Sequence, residues 1–283
     1  METARATVDT TPASEIEAPR PSQLRLNLAT ISVLVSRDLR RFFRQKSRVV
    51  GALVQPLIFW LVIGSGLQGS FRMPGAEGVG YVQYFFPGIV MLVVLFTSIF
   101  TTMSVIEDRH KGFLQAVLVA PASRTALVLG KTLGGVAIAL AQAALFLALM
   151  PLAGIDPRAV DWPLVFAMLL LSSIGLSSMG FGIAWWLDST QGYHVVMSVL
   201  LIPLWILSGA MFPLSGAARW IGWLMRVNPM SYCVAGIRRA LYENGGHTQA
   251  GSSTALELGV VAAFAIVATL WAAWMCNRRG ARP

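Results

Sequence analysis

Charge is what this sequence has least of. Only 12% of its 283 residues are Asp, Glu, Lys or Arg, against roughly 25% in an ordinary soluble domain. A water-soluble body of this size needs more polar surface than that, so lipid must cover much of it. Acids are the scarcer sign, 13 against 22 Lys and Arg, for a formal net charge of +9. There are three histidines and two cysteines. His110, His194 and His247 are scattered and no H-E-x-x-H occurs, which removes the common metal-hydrolase reading. Cys233 and Cys276 have no metal-ligand spacing and fall near opposite membrane faces, which speaks against a disulfide between them.

What the sequence has in abundance is apolar length. Hydrophobic residues make up 55% of the chain, and a span needs about 20 of them in a row to cross roughly 30 Å of hydrocarbon. Six stretches qualify, at about 49–67, 85–106, 126–150, 164–187, 195–212 and 256–276. Backbone groups in lipid must be satisfied within the segment, so each is a helix. The expected fold is an all-α integral membrane protein with six transmembrane helices. Residues 1–27, polar and containing proline, read as a disordered cytoplasmic leader, and 28–283 as one transmembrane domain. The first apolar run begins near Val49 and no small-residue cleavage site follows it, so no secretory signal is expected.

The basic residues orient the spans. Arg37, Arg40, Arg41, Arg44, Lys46 and Arg48 precede the first span. Arg109, Lys111 and Arg124 lie between the second and third, and Arg278, Arg279 and Arg282 follow the sixth. With six spans these segments share one side, which the positive-inside rule makes cytoplasmic, together with both termini. Cations that flank apolar segments point to anionic lipid headgroups as partners rather than to nucleic acid. The expected location is the inner or plasma membrane.

Two further segments are amphipathic. In 31–48, Val35, Leu39, Phe42 and Phe43 fall on one helical face and Arg37, Arg40, Arg41, Arg44 and Arg48 on another, as in a cytoplasmic interface helix that anchors the topology or also touches a cytoplasmic partner. Between the fifth and sixth spans, Trp220, Trp223, Leu224 and Val227 lie at helical spacing beside Arg219 and Arg226. This predicts short helices in or dipping into the outer leaflet, divided at Pro229.

Catalytic chemistry is missing. No acid, base or histidine stands near the middle of a span, whereas an ion-coupled carrier usually needs one to hold its ion. Gln55, Gln142, Thr97, Ser172, Ser173 and Ser198 are the polar groups at that depth. Gly130, Lys131 and Thr132 resemble the tail of a phosphate-binding loop, but Thr125 stands where its first glycine belongs and no strand precedes it. Lys131 is therefore expected to snorkel at the cytoplasmic end of the third span. Gly130 with Gly134, Ser173 with Ser177 and Ser178 with Gly182 predict close packing on neighbouring helices. Pro56, Pro87 and Pro203 predict kinks or helix ends.

The loop after the second span opens with Glu107, Asp108, Arg109, His110, Lys111 and Gly112. It continues as an amphipathic stretch with Phe113, Leu114, Val117 and Leu118 that ends at Pro121. By pattern it is a solvated loop with a surface helix, or a helix able to pass force from a docked protein to two spans. The order FFPGIVMLVVLFTSIFTT…EDRHKGFLQAVLVAPASRTALVLGKTLGG, followed later by NPMSYCVAGIRRALY, resembles the ABC-2 type permease family from about Ser36 to the last span. Pro229, Met230, Tyr232 and Arg238 match the family's late motif, and the match loosens around 214–218.

The resemblance implies a half-transporter without enzyme activity of its own. Two permeases, identical or different, would pair with a separate nucleotide-binding ATPase subunit that carries ATP and magnesium. Glu107, Asp108, Arg109, Lys111, Gly112, Phe113 and Leu114 would couple to that ATPase. Arg37, Arg40, Arg41, Phe42 and Arg44 would form a second contact. Asn228, Pro229, Tyr232 and Arg238 would belong to an outer re-entrant cap, and the pathway would run between the two permeases. A lipophilic drug, a glycolipid or a polysaccharide is the cargo such a family implies. An ion-coupled carrier or channel, or a membrane assembly factor without transport, are the alternatives.

Overall fold

A computed structural model describes residues 22–69, 80–119, 122–213, 217–242 and 252–278. Leader residues 1–21, Pro121, residues 214–216, Arg279 and Arg282 lie outside the described residues, as do the side chains at 48 and 118. The chain is an all-α integral membrane protein, with no strand among the described residues. In order, the helices are α1 (Gln23–Arg44), α2 (Lys46–Gly66), α3 (Tyr81–His110), α4 (Phe113–Val119), α5 (Arg124–Leu147), α6 (Trp162–Trp186), α7 (Thr190–Trp205), α8 (Arg219–Val227), α9 (Pro229–Leu241) and α10 (Thr254–Arg278). A 3₁₀ turn (Met150–Ala153) follows α5, and a π turn (Ile206–Ala210) continues α7. Among the described residues, six helices are long and apolar enough to cross a membrane, namely α2, α3, α5, α6, α7 with its π turn, and α10.

Several helix starts are set by side-chain caps that occupy otherwise unpaired backbone N–H groups. Ser123 Oγ accepts from Ala126 N at 3.1 Å, Asp161 from Leu164 N at 3.0 Å, Ser189 from Gly192 N at 3.2 Å and Asn228 from Met230 N at 3.0 Å. Each of these polar residues stands within a turn or two of an apolar run, so these boundaries follow from local chemistry. Helix α1 starts at Gln23, inside the stretch expected to be leader, and a break at Gln45 separates it from α2. The amphipathic helix expected over 31–48 is thus shifted towards the N-terminus.

Helix α3 is the hub, buried over most of its length between α2, α5, α6 and α7. Helix α6 packs chiefly on α10, where Gly182 faces the Trp271 ring and Ser178 Oγ lies 2.9 Å from Thr269 Oγ1. Helix α1 lies along α5 rather than apart from the bundle. Gly130 and Gly134 receive Leu34 and the Cβ of Asp38 at van der Waals distance, so this small-residue pair serves α1 and not another span.

Two arginines hold helix ends together at one end of the bundle. Arg109 donates to Trp185 O at 2.9 Å and Leu187 O at 3.3 Å, and Arg124 to Cys276 O and Asn277 O, both at 3.2 Å. Cations on the last carbonyls of a helix satisfy orphan acceptors and meet the negative end of its dipole. This basic end gathers the C-termini of α3, α6 and α10 with the N-terminus of α5. Helices α8 and α9 lie at the opposite end.

Candidate functional site at the junction of α1, α3, α4 and α5

The last turn of α3 places Glu107 and Asp108 against α1 and α5. Asp108 is fully buried, and three cations from two other helices converge on it. Arg37 makes a bidentate pair, Nη1 to Oδ2 at 2.8 Å and Nη2 to Oδ1 at 2.6 Å. Arg41 Nη1 donates to Oδ1 at 2.8 Å, and Lys131 Nζ to Oδ2 at 2.5 Å. Lys131 also holds both oxygens of Asp38, at 3.1 and 2.9 Å, while the second arm of Arg41 binds Glu107. The hydrogen bond to Asp108 holds the Arg37 guanidinium above its ordinary pKa. Burying an ion is tolerated only when its lone pairs and protons are met, and here the partners come from α1, α3 and α5. The cluster therefore ties three helices into one body.

Helix α4 begins immediately beyond it. Gly112 makes the corner at φ 73°, a left-handed conformation natural to glycine. Phe113 then lies under the Arg37 guanidinium, 3.6 Å from its ring centre, and Leu114 is buried. Lys111, Gln115 and Val119 remain exposed. Between α4 and the first half of α1 runs an apolar groove of about 390 Å³ lined by Leu26, Thr30, Val33, Leu34, Phe113 and Val117.

At the opposite end, α9 collects carbonyls released where α7 unwinds. Asn228 Nδ2 donates to Leu204 O at 2.6 Å, and Ser231 Oγ to Leu207 O at 3.2 Å. Gly209, at φ 78°, turns its carbonyl towards Tyr84 OH and Arg238 Nη2, both at 2.9 Å. Arg238 is only 3% exposed and lies over the Tyr84 ring at 4.2 Å. The C-terminal dipole of α7 and an aromatic face stand where a carboxylate would otherwise be needed. Pro229 occupies the first turn of α9, where its missing N–H costs nothing. Tyr232 OH closes on Arg226 O at 2.9 Å and so joins α9 to α8.

The sequence profile of ABC-2 type transporters matches residues 29–242, a stretch that contains both of these sites. The chain belongs to the ABC-2 type transporter family. It is similar to the daunorubicin resistance ABC transporter permease protein DrrB1 of Streptomyces coeruleorubidus, 27% identical over 87% of this chain and 86% of that one. It is also similar to ycf38 of Cyanophora paradoxa, 28% identical over 73% of this chain and 72% of that one. The inner membrane transport permease YadH of Escherichia coli is 24% identical over 72% of this chain and 79% of its own length. The chain is accordingly a membrane permease subunit of an ABC transporter.

In this permease the residues picked out by pattern separate into two groups. Asp108 and Leu114 are buried, Glu107, Arg109, Gly112 and Phe113 are partly covered, and Lys111 faces outwards. Of the α1 set, Arg37, Arg41 and Phe42 turn inwards while Arg40 and Arg44 stay exposed. Phe43, expected on the covered face, is exposed. That face runs instead through Leu34, Asp38 and Phe42. Lys131 does not snorkel. Its ammonium is buried between two carboxylates, because α1 covers the face of α5 from which it projects. Arg238, expected near the outer leaflet surface, is likewise interior. Asp38 joins this cluster as well, and its signal in the sequence is that it is the one acid in a run of arginines, at i+4 from Leu34 and i−4 from Phe42.

Proposed function

We propose that this permease works as an exporter, as a pair of permeases driven by a separate ATPase subunit that binds ATP and magnesium. In this reading the basic end and both termini are cytoplasmic, in the inner or plasma membrane. The ATPase docks on the exposed side of α4, at Lys111, Gln115 and Val119, and in the apolar groove beside it. The observation that carries the reading is the ion cluster at Asp108. It sits directly behind α4 and binds α1, α3 and α5 together, so a push on α4 is delivered to a rigid body and not lost in a loop. ATP binding would close the ATPase pair, shift α4 and bias the permeases between inward-facing and outward-facing forms. The likeness to DrrB1, named for daunorubicin resistance, supports a lipophilic drug-like cargo over a glycolipid or polysaccharide.

The test is purification from native membranes in mild detergent, with mass spectrometry of what accompanies the permease. A stoichiometric ATPase carrying a phosphate-binding loop is expected, and Val119→Asp should release it without lowering membrane insertion. Absence of an ATPase in several mild detergents, together with transport driven by a proton or sodium gradient, would overturn the reading.

A further inference from the structure

Four arginines of α1 do not all serve the same end. Arg37 and Arg41 turn to Asp108 and Glu107. Arg40 and Arg44, one helical turn apart, meet no carboxylate among the described residues, and Asp38, Glu107 and Asp108 already face Arg37, Arg41 and Lys131. All four arginines, with Val33, Ser36 and Gln45, line an open cleft of about 570 Å³. Two guanidinium groups without a carboxylate among the described residues, beside two neutralised ones, leave a surplus of positive charge in a concave site. Guanidinium forks suit phosphate oxygens.

The position of the cleft narrows the class of anion. Arg44 stands five residues before Val49, where the first membrane-spanning segment begins, and Val50 and Val54 start the exposed apolar surface of α2. The apolar groove beside α4, by contrast, is lined on α1 by Leu26 to Leu34 and meets the cleft only at Val33. At about 1.5 Å per residue, Arg44 lies some 20 Å further along the helix than Thr30. A docking protein that grips α4 through that groove would thus leave the Arg44 end of the cleft at the headgroup level. We infer that Arg40 and Arg44 hold the phosphate of an anionic phospholipid, whose acyl chains run along α2. Such a lipid would brace the Gln45 break, where α1 passes into α2, and it requires nothing of the ATPase coupling proposed above.

Native mass spectrometry of the full-length permease, with residues 1–21 present, tests this against phosphatidylglycerol and phosphatidylcholine. Phosphatidylglycerol is expected to be retained selectively. R40Q/R44Q should weaken its binding by about thirtyfold, on the usual contribution of basic residues at an anionic surface, and R25Q/K111Q, with the same loss of charge elsewhere on the basic end, should weaken it far less. Glycerol 3-phosphate carries the same phosphate without tails and should compete poorly. Equal retention of the two lipids, equal effects of the two double variants, or full competition by glycerol 3-phosphate would each overturn the lipid site. So would a loss of co-purifying ATPase in R40Q/R44Q with phosphatidylglycerol retention unchanged, which would assign the cleft to an acidic protein segment.

Discussion

Lys131 on α5 and Asp108 on α3 form a buried ion pair, Nζ to Oδ2 at 2.5 Å, and the same ammonium grips Asp38 on α1. A single cation therefore joins three helices, and Arg37, partly exposed, pairs with both of the same carboxylates.

Asp108→Asn leaves three cations around a neutral amide. Breaking a buried pair from one side costs about 3–5 kcal/mol, so a clear fall in the melting temperature of the detergent-solubilised protein is expected. Lys131→Met should fall similarly, and the double variant should be milder than the sum of the two. Simple additivity in that cycle would mean that the cluster does not act as a unit.

Arg109 separates surface from buried electrostatics. Its partner Asp188 is 86% exposed at the side chain, whereas its other contacts are the closing carbonyls of α6. Asp188→Asn is expected to change stability by less than about 0.5 kcal/mol. Arg109→Gln, which strips the caps, should cost about 1–2 kcal/mol. Thermal melting of both variants side by side checks the ordering.

Gly112 can be probed without crowding, because a Cβ there would meet only Gln115 Oε1 at 4.0 Å. The cost of substitution is thus conformational, about 1–2 kcal/mol for an ordinary side chain in a left-handed conformation and less for Asn. Gly112→Val should insert normally yet lose ATP-dependent transport, and Gly112→Asn should keep more of it. Equal transport in the two variants would sever the corner from coupling.

Gly209 has the same backbone requirement at the opposite end, with its carbonyl shared by Tyr84 and Arg238. Gly209→Ala is expected to lower stability by about 1–2 kcal/mol. Arg238→Met should lower it further by leaving the Gly209 carbonyl with Tyr84 alone, which melting curves of the purified protein would show.

The membrane class and the six spans were legible because each rests on local chemistry. Apolar length answers to bilayer thickness, and Ser123, Asp161, Ser189 and Asn228 announce the helices that follow them. The late motif was legible as a pattern, but not as a device that gathers carbonyls from α7. The unwinding at Gly209 depends on Gly88 of α3, which lets Ala210 approach to within contact of its backbone.

That the chain lives in lipid, how often it crosses and which of its ends is basic all follow from the order of its residues alone. These are sums over hydrophobicity and charge, and they do not depend on which helix meets which. Helix packing is what makes Lys131 an interior bridge and Asp38 its partner, and what turns Arg37 and Arg41 inwards but not Arg40 and Arg44. A charged side chain has two ways to lower its energy beside a membrane, reaching water or meeting an opposite charge. Periodicity cannot choose between them. The choice fell to the packing of α1 along α5, through which residues more than 90 positions apart in sequence come within hydrogen-bonding distance.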